Sequence, residues 1–203
     1  MSQEAERANY VFFWKADEPE GGYMSQWWDE RPFSSADGSV QYRTTEHYMM
    51  SEKAVLFGDD EMRTKILATA DPRKVRELGR QVKDFKDAVW QASRSRIVEE
   101  GNALKFRQLD DLRRKLLDTG DRILVEASPR DRIWGIGYGA QSALSHKEKW
   151  GLNLLGQALM NVRASVRAEE ELSQGSQAEV EIPSVAGDPQ APASTETAPP
   201  AVS

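Results

Sequence analysis

Between residues 44 and 172 the apolar positions recur every three or four residues, and alternating or consecutive apolar runs are few and short. That pattern predicts a chain built mainly of helices with a few strands. The segment 9–15, Asn-Tyr-Val-Phe-Phe-Trp-Lys, is rich in aromatic and β-branched residues and reads as a strand. Residues 40–43 and 122–128 read as two further short strands. Thr44 or Thr45 caps a first helix that runs to about Phe57. Residues 59–70 open on aspartates, which suit a helix N-terminus. Residues 71–79 place Asp at the cap, Pro first and Gly last. Helices over 86–101 and 102–120 follow, the second with Leu109, Leu112, Leu116 and Leu117 at helical spacing and Gly120 as its stop. A last helix spans 150–172. The expected class is α+β, predominantly helical, in a single domain.

Two stretches fall outside this pattern. Residues 17–39 form a long Gly- and Pro-punctuated loop carrying Tyr23, Trp27 and Trp28. A loop of that length inside a small domain is usually functional or mobile. Residues 174–203 hold five of the nine prolines and no aromatic residue, so they cannot bury enough apolar area to offset ordering entropy. The expected organisation is a flexible N-terminus over 1–8, a folded domain over 9–168 and a disordered tail over 174–203.

The first helix raises a question of chemistry. At about 100° per residue, with Glu46 at zero, Met50 falls near +40°, Lys53 near −20°, Phe57 near +20° and Met49 near −60°. A surface helix keeps its charges away from its apolar stripe, yet here an acid and a base lie within it. They form either a buried structural pair or the lining of a cleft that needs both charges. The first-turn position of Glu46 favours its charged form through the helix dipole. Lys53 among apolar neighbours has reason for a lowered pKa, which suits a nucleophilic or Schiff-base lysine.

Composition narrows the classes. The 203 residues carry a formal net charge of −6, which argues against a strong, sequence-independent grip on nucleic acid. Enzymatic contact with a nucleic acid end or base remains compatible with it. There is no cysteine, hence no disulfide framework and no thiol nucleophile. With only His47 and His146, a structural zinc site is not expected. Neither a secretory signal nor a membrane-spanning stretch is legible, so a cytoplasmic setting is expected, or a nuclear one in a eukaryote.

Three further groups of residues invite chemistry. In residues 126–139 a strand ends in a Ser-Pro turn, and Asp131 precedes Trp134, Gly135, Gly137 and Gly139. Glycine admits close backbone approach, Trp134 offers a flat face for a base or sugar, and Asp131 is a candidate general base or ribose ligand. A Gly-rich turn around a core tryptophan is the alternative. Trp150, Gly151 and Asn153 form a helix start, where free amides suit phosphate; an ordinary packed terminal helix is equally consistent. Phe12, Phe13 and Trp14, with Trp90 beside Arg94, offer stacking surfaces, although core packing accounts for aromatic residues as well.

Taken together, the segments TTEHYMMSEKAVLFGD, LGRQVKDF, GNALKFRQ, LLDTGDRILVEASPRDRIWGIG and WGLNLLGQALMNVR stand in the order and approximate spacing of YbiA/NADAR-like proteins. The resemblance covers about residues 10 to 167. One departure is that the family often carries Ser-Asn-Phe in the first loop, where this chain has Ser25, Gln26 and Trp27; this bears on the loop's contact with a ligand, not on the fold. The resemblance implies N-glycosidic chemistry on ribose-containing nucleotides. Its substrate is either ADP-ribosylated guanine in DNA or RNA or a phosphoribosylated pyrimidine intermediate of riboflavin synthesis. A non-catalytic ADP-ribose or NAD sensor is the third reading. ADP-ribosylated guanine is preferred because no second riboflavin-pathway domain is fused within these residues. The resemblance implies Glu46, Lys53 and Asp131 as catalytic residues. The residues themselves offer Phe13, Trp14, Trp90, Arg94, Trp134, Gly135, Trp150 and Asn153 as the expected substrate contacts. No metal and no cofactor is expected.

Overall fold

The computed structural model describes residues 3–180, with side-chain surroundings for residues 4–174. Its elements in chain order are α1 (Gln3–Arg7), β1 (Tyr10–Phe13), β2 (Phe33–Ser34), β3 (Gln41–Tyr42), α2 (Thr45–Leu56), α3 (Asp60–Ala68), α4 (Pro72–Gly79), α5 (Asp87–Gln108), α6 (Asp110–Leu117), β4 (Ile123–Glu126) and α7 (Leu154–Val180). The fold is mostly helical with a few short strands, as the apolar pattern predicts. The short helix α1 occupies part of the segment expected to be flexible. The final helix runs beyond residue 172, and the rest of the expected tail, residues 181–203, lies outside the described residues.

Helix α2 lies at the centre and packs on α3, α4 and α5; α5 in turn packs on α7, and α7 backs β4. The stripe on its helical wheel therefore understates its burial: Thr45 through Ser51 are all buried, as are Lys53 and Ala54. Thr44 caps it, its hydroxyl accepting from the His47 amide. The His47 ring ties this end down, donating from Nε2 to the Thr69 carbonyl at 2.8 Å and accepting from the Thr44 hydroxyl at Nδ1. Fully buried Phe13, Phe106, Ile66, Leu112, Leu155 and Leu159 anchor the core, at about 1.5–3 kcal/mol for each large apolar side chain removed from water.

Two glycines were read from sequence as helix ends and serve packing instead. Residues 87–108 form one continuous helix, α5, with Gly101 inside it. A Cβ on Gly101 would lie 2.5 Å from Tyr48 Cδ1, so the glycine lets α5 close onto α2. Gly79 ends α4, but the cap residue that follows, Arg80, is right-handed. A Cβ on Gly79 would lie 2.8 Å from Met50 Cγ. The helix expected over 102–120 is broken at Leu109, and α6 ends at Leu117 with Asp118 as its cap; Gly120, with φ +60°, turns the chain just beyond it.

Strands β1 and β4 pair in parallel, Tyr10 opposite Ile123 and Phe13 opposite Glu126. A parallel pair needs a long crossover, and the helices from α2 to α6 supply it. Strands β2 and β3 form a separate antiparallel pair.

Candidate active site

The carboxyl ends of β1 and β4 leave the sheet side by side, the kind of edge where open α/β proteins bind ligands. Asn153 fixes this edge. Its Oδ1 accepts from the Glu126 amide and its Nδ2 donates to the Leu124 carbonyl, both at 2.9 Å. Its φ of +52° is one that asparagine tolerates better than most residues. Beyond β4, Ala127 donates its amide to the Phe13 carbonyl at 2.8 Å, and Ile136 donates to the Glu126 carbonyl at 3.0 Å. Between them the chain loops out, and Asp131 Oδ1 accepts the amides of Ile133 and Trp134, both at 2.8 Å. The aspartate thus shapes the loop that carries it.

Glu46 approaches the same place from the first turn of α2. Its amide donates to the Gln26 carbonyl at 3.0 Å, and the residue is only 4% exposed. Burial pushes its carboxyl up to about 7, against the pull of Arg76, the Trp27 indole hydrogen bond and Arg80, and with the push of Asp131. The dipole argument from sequence favoured the charged form; removal from water outweighs it. Glu126, which sequence reading passed over, is pushed further, up to about 8, by burial and by the charges of Asp131 and Glu46, with Arg76 opposing. Its Oε2 is buried without a hydrogen-bond partner among the described residues. Three carboxyl groups from α2, β4 and the following loop therefore act on one another through their charges, and Arg76 of α4 acts on both glutamates.

Lys53 does not join them. Its Nζ donates to the Gly79 carbonyl at 2.7 Å and lies 4.2 Å from the ring centre of Phe85 and 5.4 Å from that of Trp90. Burial, and then Arg80, lowers its pKa. On α2, Met50 stands between Glu46 and Lys53, and Gly79 covers it. The two charges on one helix face are thus neither a salt bridge nor neighbours; they lie on either side of the α4 crossing, and Arg80 acts on both.

The remaining candidates divide. Phe13 and Trp14 line a cleft of about 360 Å³ that also takes in Ala127, Gln141 and Ser142. Phe13 is 1% exposed, whereas Trp14 is 37% exposed and presents its ring. Trp90 lies beneath the Lys53 ammonium, while Arg94 has its Nε buried without a partner among the described residues. Trp134 is half-buried against the main core. A Cβ on Gly135 would lie 2.7 Å from the Glu126 carbonyl oxygen, so its smallness serves loop packing. Trp150 donates from Nε1 to the Ala143 carbonyl and meets Tyr10 and Phe12 edge-on. The amides of Asn153, Leu154 and Leu155 at the start of α7, read from sequence as open to phosphate, donate to the carbonyls of Gly135, Ile133 and Trp134.

Sequence reading missed Arg76 and Arg80, and it named Trp27 only as one aromatic residue of the long loop, without a contact to Glu46. Gln26, the neighbour of Trp27, is buried and bonded to Asn102 at 3.2 Å, a structural role. Arg76 and Arg80 are exposed residues of an ordinary amphipathic helix end, and nothing in their spacing marks them.

A NADAR domain model matches residues 12–167. The chain is 43% identical over 164 residues to an N-glycosidase of Acanthamoeba polyphaga mimivirus, covering 78% of this chain and 96% of that protein. It is 33% identical over 160 residues to an N-glycosidase of Nostoc punctiforme, covering 77% and 92%. The NMR structure of the E. coli protein YbiA superposes with a TM-score of 0.65 at 26% identity, over 79% of this chain and 86% of that one. With the domain matched from the end of the first strand to the last helix, the chain belongs to the NADAR family.

Proposed function

We propose that this protein is an N-glycoside hydrolase that cleaves a ribose C1–N bond, and that its substrate is ADP-ribosylated guanine in nucleic acid. The observation that carries the reading is the buried Glu46 carboxyl within electrostatic reach of Arg76, Asp131 and Arg80. Cleavage builds positive charge at the anomeric carbon, and a carboxylate beside it stabilises that charge or activates water. The two arginines are exposed, and neither makes a salt bridge among the described residues. A pair of guanidinium groups suits a diphosphate, which ADP-ribose carries and a ribosyl monophosphate does not.

Lys53 supports a second route within the same reading. A lysine with a lowered pKa is competent to attack the ring-opened aldehyde of the ribose and form a Schiff base that water resolves. Trp14, at the cleft, supplies a face for the base. The relatives named N-glycosidases support the reaction class.

The experiment incubates the protein with an ADP-ribosylated guanine oligonucleotide and, in parallel, with the ribosylamino-pyrimidine phosphate of riboflavin synthesis, and reads products by mass spectrometry. Release of ADP-ribose with the unmodified oligonucleotide restored is expected. Cleavage of the pyrimidine alone would move the protein to a metabolic N-glycosidase. Silence on both, with ADP-ribose bound, would make it a sensor.

A further inference from the structure

We propose that Glu126 is the acid that protonates the departing nitrogen as the ribose C1–N bond breaks. The inference rests on the glycosidase reading above and assigns a residue which that reading leaves without a role.

The geometry carries it. Glu126 is the last residue of β4, held from both sides along its backbone by Asn153 and Ile136. The next residue, Ala127, and its partner across the strands, Phe13, both line the cleft. Its carboxyl feels the charges of Asp131 from the loop and Glu46 from α2, and the opposing cation is Arg76 from α4. Its Oε2 is buried with no partner among the described residues, which leaves a buried polar atom free to bond a group entering the site.

Charge then sorts the three carboxyl groups. Like charges gathered away from water cannot all ionise, so protons are retained. Glu46 receives the Trp27 N–H and feels two arginines, which favour its carboxylate. Asp131 accepts two backbone amides at its Oδ1. Glu126 has no such donor to its side chain among the described residues, and its carboxyl is pushed up to about 8. It is the member of the cluster that keeps its proton at neutral pH.

The chemistry needs such a group. An amine nitrogen departs from C1 with the bonding electron pair and leaves as an anion unless a proton reaches it. The Glu126 proton moves to that nitrogen, the C1–N bond breaks, and the sugar becomes an oxocarbenium ion. Water adds to C1 and its proton passes to Glu46 or Asp131. The products are a ribose with a C1 hydroxyl and a base with a restored N–H, and the Glu126 carboxylate regains a proton from the cluster.

The test measures pH–rate profiles on the ADP-ribosylated guanine oligonucleotide for the wild-type chain, Glu126→Gln and Glu126→Asp, with ADP-ribose binding as the check on folding. Expected are a wild-type profile that falls on an alkaline limb near pH 8, and a kcat at least about 100-fold lower in Glu126→Gln with that limb gone and KM little changed. Glu126→Asp should recover part of the rate. An alkaline limb that persists in Glu126→Gln, or an unchanged kcat, overturns the assignment. A carbon-13 titration of glutamate carboxyls in the wild-type chain needs no variant; no carboxyl losing its proton above pH 6 overturns it as well. A wild-type chain that cleaves neither glycoside refutes the glycosidase reading itself, a result distinct from either failure of Glu126.

Discussion

Gly79 rests on Met50 so closely that a Cβ on the glycine would lie 2.8 Å from Met50 Cγ, and this contact separates Glu46 from Lys53 along the same face of α2. Gly79 also supplies the carbonyl that holds the Lys53 ammonium. Gly79→Ala should therefore destabilise the protein by about 1–3 kcal/mol, as overpacking does. It should also loosen Lys53. A double-mutant cycle with Met50→Ala in chemical denaturation should show coupling, with the double variant more stable than the two single losses predict. Additive losses would mean that α4 does not close onto Met50.

Lys53→Ala should lower turnover by about 100-fold or more while the fold survives. Reduction of a reacting mixture with borohydride should trap a covalent ribosyl adduct on Lys53 if the Schiff-base route operates. Strong loss without an adduct would leave the lysine as an electrostatic or positioning group, and full activity would remove it from the mechanism.

Asn153→Ala should act on stability. It strips partners from the Glu126 amide and the Leu124 carbonyl, at about 1–3 kcal/mol for each buried group left unpaired. Calorimetry should show a lower Tm. ADP-ribose affinity per folded molecule should stay close to wild type, because this side chain holds β4. A selective loss of affinity at unchanged Tm would restore Asn153 to the binding site.

Stability should depend on pH with opposite signs in two ranges. Glu46 and Glu126 titrate at about 7 and about 8 in the folded chain, above the ordinary 4.5. Between those values the folded state holds the extra protons, so stability falls as pH rises through them. Lys105 is buried with its Nζ donating to the Tyr23 carbonyl, and its pKa drops from 10.5 to about 7. Across that upper range the unfolded chain holds the extra proton, so stability rises with pH. Thermal unfolding should show the advantage of Glu126→Gln over wild type growing from pH 5 to pH 8. In Lys105→Met the rise above pH 7 should be diminished. Parallel curves for wild type and variants would contradict both assignments.

What the residues revealed by themselves was mostly local. The caps at Thr44, Asp59 and Asp71, the left-handed turn at Gly120 and the aromatic run of β1 follow from short-range backbone chemistry and carry the same meaning in any fold. The resemblance of ordered segments reached further, to the helical α+β class and the family. The Glu46–Lys53 question was legible as a question, because a helical wheel reports direction around an axis.

The answer was not legible, because a wheel says nothing of what lies against it. Gly79 and Gly101 read as helix ends, since a glycine's sequence signature is the same whether it frees φ or admits a neighbouring helix; only the positions of Met50 and Tyr48 distinguish the two. Glu126 looked like the polar end of a strand. Its carboxyl is pushed up because the fold buries it and brings the charges of Asp131, five positions later, and Glu46, 80 earlier, to bear on it. Charge repulsion and desolvation depend on distance in space. The sequence by itself determined which groups were available, and the tertiary structure decided which of them share a site.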